Sequence, residues 1–233
     1  MQTFIREIAL IGEENFKKLR KAHVAVFGIG GVGSYAAEAL VRAGIGKLTF
    51  VDGDRVAESN LNRQLIALHS TLGKNKAAVM KQRALDIDPD GIFCAAECFF
   101  DEKTQDGFDF SDYSYVADCI DSVKAKVLLI ERARRAGVPV ISCMGAGNKL
   151  DASAFRVADI ESTRECPLAR IMRRELKARG VTGVKAVYSE EKPLDPDKSR
   201  AADGERFIGS ISYVPSMAGL LLAGTIIQDI LKM

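Results

Sequence analysis

The chain has 233 residues, with 33 Lys and Arg against 31 Asp and Glu for a net charge of +2, 47% hydrophobic and 27% charged residues, and five Cys. A folded chain of this length buries roughly 70–75% of the surface its unfolded form exposes, so disulfides and metal are dispensable for stability. Disordered, collagen-like and disulfide-scaffold classes are therefore excluded. So is a polybasic protein that coats nucleic acid throughout, although a local basic patch remains open.

In chain order, residues 13–21 read as a short helix with apolar Phe16 and Leu19 and a cationic end. A buried strand at 24–27 runs into glycines and a helix at 34–43 that stops at Gly44, and a second strand at 47–51 is halted by Asp52-Gly53-Asp54. Helices at 75–87 and 123–136 alternate with strands at 115–120 and 138–144. Such alternation predicts a doubly wound, mainly parallel α/β sheet of Rossmann type over residues 1–150. Beyond Gly147 the pattern changes: 155–160 and 184–188 alternate as antiparallel strands do, with a basic helix at 167–179 between them. The stretch 190–208 is polar, carries Pro193, Pro196 and Gly204, and reads as a mobile loop. The apolar run 217–231 is too short to span a bilayer and reads as a buried or subunit-facing helix. The expectation is one domain, 1–233, with a nucleotide-binding core and a C-terminal extension at 151–233.

Cys94, Cys98, Cys119, Cys143 and Cys166 lie largely in apolar segments without a Cys-x-x-Cys pair, as expected of reduced, mostly buried thiols rather than zinc ligands. The N-terminus lacks a secretory apolar core, so a cytoplasmic protein without a membrane span is expected.

Gly28-Ile29-Gly30-Gly31-Val32-Gly33-Ser34 lies between a strand and a helix. Glycines there let backbone N–H groups approach a phosphate at the positive end of the helix, and Asp52 sits where a ribose-binding acid belongs. The glycines alone leave a nicotinamide or flavin cofactor and ATP open; the absence of a following Gly-Lys-Ser/Thr excludes a Walker-type kinase. Asp54, Asn60, Arg63, Gln64 and Lys76 follow. Cations placed near phosphates suit an enzyme that stabilises charge growing at an α-phosphate, which a dehydrogenase does not need. Asp121 follows a strand at the ligand-binding edge of such sheets, where a carboxylate suits Mg²⁺; a helix cap is the competing role for Asp121 or Ser122, and Asp118 is the more structural acid.

Gly28-x-Gly30-Gly31-x-Gly33-Ser34, Asp52-x-Asp54, Ser59-Asn60-Leu61-Asn62-Arg63-Gln64, Lys76 and Asp121 together resemble the adenylation signature of the ubiquitin-activating enzymes and the bacterial ThiF, MoeB and HesA proteins. The resemblance implies that Asp52 holds the ribose, that Asn60, Arg63, Gln64 and Lys76 bind and polarise the phosphates of ATP, and that Asp121 holds Mg²⁺. It further implies a homodimer in which Arg6 reaches into the partner subunit's site. The chain lacks the paired zinc cysteines of the ThiF and MoeB type and the length for thioester and ubiquitin-fold domains. Segments 139–149 and 213–219 are similar to the tRNA threonylcarbamoyladenosine dehydratase subgroup. That subgroup implies adenylation of the threonine carboxylate of threonylcarbamoyladenosine in tRNA, followed by ring closure with loss of water. The alternative is an adenylyltransferase for the C-terminal glycine of a sulfur-carrier protein, in which case a sulfur-transfer or carrier protein is the partner. Two basic runs, Lys17 to Lys21 and Arg164 to Arg179, are candidate faces for tRNA phosphates, and Cys166 is a candidate reactive thiol beside its reading as a packing residue.

Overall fold

The computed structural model describes residues 2–197 and 208–233. Seven strands form one sheet in the order β3-β2-β1-β4-β5-β7-β6. These are β1 (His23–Phe27), β2 (Lys47–Val51), β3 (Ile92–Ala96), β4 (Tyr115–Asp118), β5 (Val140–Cys143), β6 (Phe155–Asp159) and β7 (Lys185–Ser189). Every pairing is parallel except β6 with β7.

Strand β1 shows why the sheet is covered on both faces. Val24 and Val26 point into one core with Leu48, Phe50 and Leu222, whereas Ala25 and Phe27 point into another with Phe100, Leu129 and Met172. All five β1 residues are buried, as the continuous apolar run requires. The helices are α1 (Ile5–Ile11), α2 (Glu13–Lys21), α3 (Gly33–Arg42), α4 (Lys76–Ile87), α5 (Val123–Arg135), α6 (Pro167–Ala178) and α7 (Tyr213–Lys232).

Three sequence expectations are refined. Strand β7 lies between β5 and β6, parallel to the first and antiparallel to the second, so antiparallel pairing in the extension is confined to the edge strand β6. Strand β3 went unmarked because, at the other edge, it alternates exposed Ile92, buried Phe93 and exposed Cys94 over too few residues to stand out. The last helix starts at Tyr213 rather than 217, since Pro215 in a first turn removes no helical hydrogen bond. Helix α7 is long and apolar enough to cross a membrane by composition alone, yet its Val214, Ala218, Leu222, Ile226 and Ile230 stripe is built into the core beside α3.

Of the stretch expected to be a mobile loop, 198–207 lie outside the described residues. Its flanks converge on one residue. The Leu194 N–H donates to the Asn148 carbonyl at 2.7 Å, and the Gly209 N–H donates to Asn148 Oδ1 at 2.6 Å. Asn148 in turn donates its own N–H to the Gly209 carbonyl at 2.8 Å.

Candidate active site

At the carboxyl ends of β1 and β4, where the strand order reverses, the sheet opens into a cavity of about 1080 Å³. Gly28, at φ +87°, makes the turn out of β1; a Cβ there would come within 2.7 Å of the Cys119 carbonyl oxygen. A Cβ on Gly33 would lie 1.7 Å from the Gly28 carbonyl oxygen, so this close strand-to-helix approach also demands glycine. Gly30 and Gly31 line the cavity, and the N-terminus of α3 follows them directly, which places the positive end of the helix there.

Asp52 ties the glycine turn to the end of β2. Its Oδ2 accepts the Ile29 N–H at 2.6 Å and its Oδ1 accepts the Asp54 N–H at 2.8 Å. Burial raises its pKa, and these backbone hydrogen bonds and Lys76 act against that rise. Asn75 supports both partners: its side chain caps α4 by accepting the Ala78 N–H at 3.1 Å and donates to the Asp52 carbonyl at 3.0 Å. Lys76, next in line, is buried and holds Asp54 Oδ2 at 2.8 Å.

The segment between β2 and α4 supplies the next wall. Asn60 Oδ1 accepts the Ala57 N–H at 3.1 Å. The Arg63 guanidinium donates to the Ser59 carbonyl at 2.7 Å and to Asn62 Oδ1 at 3.0 Å. Gln64 is buried, and its Oε1 is the one buried side-chain atom among the described residues without a hydrogen-bond partner. A polar atom left so in a cavity wall is a place for a ligand donor.

Asp121 and Ser122 line the cavity after β4, both exposed. Neither makes a side-chain cap bond to α5, so the competing capping role for Asp121 falls away. Asp118 is the structural acid, as expected: it accepts the Ser142 hydroxyl at 2.5 Å and the Ile120 N–H at 3.2 Å. Lys126, wholly buried, completes the group by donating to the Ile120 carbonyl at 2.9 Å. The sequence reading passed over Lys126, although it stands on the apolar stripe of α5 with Leu129, Ile130 and Ala133, where a lysine needs a buried partner.

Thus Gly28, Gly30, Gly31, Asp52, Asp54, Asn60, Arg63, Gln64, Lys76 and Asp121 meet on one cavity, and Gly33 forms the turn beneath it. Arg6 does not join them; it is exposed on α1, away from its own chain's cavity. No cluster of three or more His, Cys, Asp or Glu suited to a metal occurs among the described residues, so a cation here would have Asp121 and ligand oxygens for partners.

The far end of the cavity was not foreseen. It is bounded by residues 143–149, by Cys166, Pro167, Leu168 and Ile171 at the start of α6, and by Pro193, Ile208 and Ser210. Asn148 stands in the left-handed region at φ +59°, and Lys149 donates to the Glu191 carbonyl, with burial pulling the lysine pKa down. Cys166 is buried, as its packing reading holds; Cys143 is also buried, with its pKa pushed up to about 12 by desolvation. The expectation of mostly buried thiols is not met: Cys98 and Cys119 are half-buried and Cys94 is exposed on the edge strand, leaving only Cys143 and Cys166 buried.

Two known proteins resemble the chain over nearly its whole length and a third over part of it. It is 37% identical over 243 residues to the tRNA threonylcarbamoyladenosine dehydratase of Bacillus subtilis, covering 100% of this chain and 96% of the relative. A crystal structure of the Escherichia coli tRNA N6-threonylcarbamoyladenosine dehydratase, TcdA, in complex with ATP superimposes with a TM-score of 0.90 at 34% identity, covering 99% of this chain and 94% of that one. The adenylyltransferase and sulfurtransferase uba4 of Aspergillus clavatus is 35% identical over 143 residues, 60% of this chain and 28% of the relative. The ThiF family model matches residues 4–233, and the chain belongs to the ThiF family.

Proposed function

We propose that the protein uses ATP to adenylate the threonine carboxylate of threonylcarbamoyladenosine in tRNA, and that the adjacent carbamoyl group then closes a ring with loss of water. The observation that carries the reading is the meeting of Arg63, Lys76 and Asp121 with the glycine turn on one cavity that continues past the phosphate region to α6. Full-length similarity to dehydratases named for this substrate supports the tRNA reading over the carrier-protein reading, for which the likeness to uba4 covers 60% of the chain.

A carboxylate is a poor electrophile because its charge is delocalised and oxide is a poor leaving group. Its oxygen attacks the α-phosphorus of ATP, pyrophosphate departs, and the acyl carbon now carries AMP as leaving group. The carbamoyl oxygen attacks that carbon, AMP leaves, and the carbamoyl nitrogen loses its proton. Because nucleophile and electrophile share one molecule, an effective molarity on the order of 10⁵ M or more makes an enzyme thiol dispensable, consistent with buried Cys143 and Cys166.

The residues divide the work. The Gly28 to Gly33 turn offers backbone N–H groups to the phosphates, Asp52 accepts from the ribose, and Arg63 and Lys76 hold the charge that grows on the α-phosphate. Lys76 must exchange Asp54 for phosphate, a modest change because Asp54 is itself half exposed. Asp121 would hold Mg²⁺, which supplies charge neutralisation along the phosphates and keeps most of its waters. Arg6 acts across a homodimer interface: it is exposed and does not line its own cavity, and it stands on a helix whose Ile5 and Leu10 are 63% and 83% exposed. The cytoplasm is the compartment that fits a tRNA substrate.

The test is incubation with Mg-ATP and tRNA bearing threonylcarbamoyladenosine, followed by nucleoside mass measurement. Loss of one water per nucleoside is expected. An unchanged mass, alongside ATP–pyrophosphate exchange stimulated by a Gly-Gly-ended carrier protein, would move the protein to the carrier reading.

A further inference from the structure

Of the two basic runs in the chain, only one starts at the wall of the cavity. On α2, Lys17 pairs with Glu14 at 2.8 Å, Arg20 pairs with Asp88, and Lys18 donates to the Leu231 carbonyl at 3.0 Å. Lys21 is exposed, and no residue of α2 lines the cavity. Helix α6 differs in position. Its first turn supplies Pro167, Leu168 and Ile171 to the cavity wall, while Ala169, Met172 and Leu176 anchor it in the core.

Arg170, Arg174 and Lys177 are exposed and follow the i, i+4, i+7 spacing of one helix face. At 1.5 Å rise per residue they form a rail about 10 Å long that begins beside the cavity. Lys124, exposed in the first turn of α5, stands at the same mouth. The neighbouring acids are engaged: Glu175 holds Arg179 at 2.9 Å and Arg174 at 3.1 Å, and Glu131 lies 4.0 Å from Arg179. Arg173 turns inward to Thr163 and belongs to the fold rather than to the rail. The exposed Arg174–Glu175 contact is of the weakly stabilising kind and yields readily to a phosphate.

We infer that the outward face of α6, formed by Arg170, Arg174 and Lys177 and continued by Lys124 at the cavity mouth, is the surface along which the phosphate backbone of the tRNA lies. The inference rests on the tRNA reading above and adds where the nucleic acid sits and which run is not used. Continuity matters as much as charge. An RNA held on the rail presents its modified nucleotide to the end of the cavity bounded by α6, while the nucleotide triphosphate occupies the glycine end.

The experiment measures tRNA affinity against salt for the wild type, for R170A/R174A/K177A, for the charge-conserving R170K/R174K/K177R and for the α2 control K17A/K21A. Each phosphate contact contributes about 0.7–0.9 to the slope of log K against log salt, so the triple alanine variant is expected to lose about 2–3 from that slope and on the order of tenfold or more in low-salt affinity. The charge-conserving and α2 variants are expected to retain the wild-type slope. The ATP-induced rise in thermal midpoint should survive in every variant, showing intact folding of the adenylation end. An unchanged slope in the triple alanine variant of a protein that still dehydrates the nucleoside overturns the α6 surface and leaves the tRNA reading standing. A wild type that neither binds nor modifies tRNA, yet activates a carrier protein, overturns both.

Discussion

Lys126 Nζ lies 3.0 Å from Asp118 Oδ2, with both side chains at 0% exposure, directly beneath the turn that carries Asp121. The pair gains from its company: Ser142 donates to the same carboxylate oxygen, and the lysine also donates to the Ile120 carbonyl. Asp121 is thus positioned by a buried polar cluster that fixes the backbone between β4 and α5.

Removing one partner strands a charge. Lys126→Met is expected to lower unfolding free energy by about 3–5 kcal/mol, the usual cost of leaving a buried ion unpaired. The double variant Asp118→Asn, Lys126→Met should recover part of it. Urea denaturation measures both; a loss below about 1 kcal/mol in the single variant would show that the pair does not hold this region.

Asp121→Ala should behave in the opposite way, because the side chain is exposed and makes no capping bond. Stability is expected to move by no more than about 0.5 kcal/mol, whereas AMP formation should fall by about 10²-fold or more. Retained activity at saturating Mg²⁺ would remove Asp121 from the metal role.

Arg6→Ala and Arg63→Ala, each inactive alone, are expected to regain activity when mixed, since one site in a mixed dimer would then hold both arginines. Subunit exchange followed by a nucleoside assay reads this out. Activity that stays at the level of the separate variants after subunit exchange would overturn the action of Arg6 across the interface.

Asp52 provides a pH signature. Burial raises its pKa, so the folded state binds this proton more tightly than the unfolded state. Its ionisation then opposes folding: the penalty is absent below the ordinary carboxylate range and appears as pH rises through that range to the raised value. Asp52→Asn lacks the titration. Its stability relative to wild type is therefore expected to climb with pH across that window and level off above it, measured by urea midpoints between about pH 4 and 7. A flat difference would mean that the backbone donors at Ile29 and Asp54 cancel the burial effect.

Much of this site was legible in the sequence because its residues sit at fixed offsets from strand ends. The glycine turn follows β1, Asp52 follows β2 and Asp121 follows β4, so alternation alone carried them to one edge of the sheet. Lys126 and Asn75 were harder to see, since each acts through a partner far along the chain or through a backbone group that no pattern displays. The position of β7 between β5 and β6 was likewise hidden: alternation reveals which residues face the core and not which neighbour a strand chooses. The distinction between the α2 and α6 runs appeared only with their places relative to the cavity, for a row of lysines and arginines reads alike wherever the fold puts it.

The three hydrogen bonds that Asn148 makes to Leu194 and Gly209 have an architectural consequence. They bring Leu194 and Gly209 to one anchoring point beside the cavity. Pro193 and Ser210, on either side of that knot, thereby keep their places in the cavity wall, so the far end of the site depends on a single asparagine for its shape.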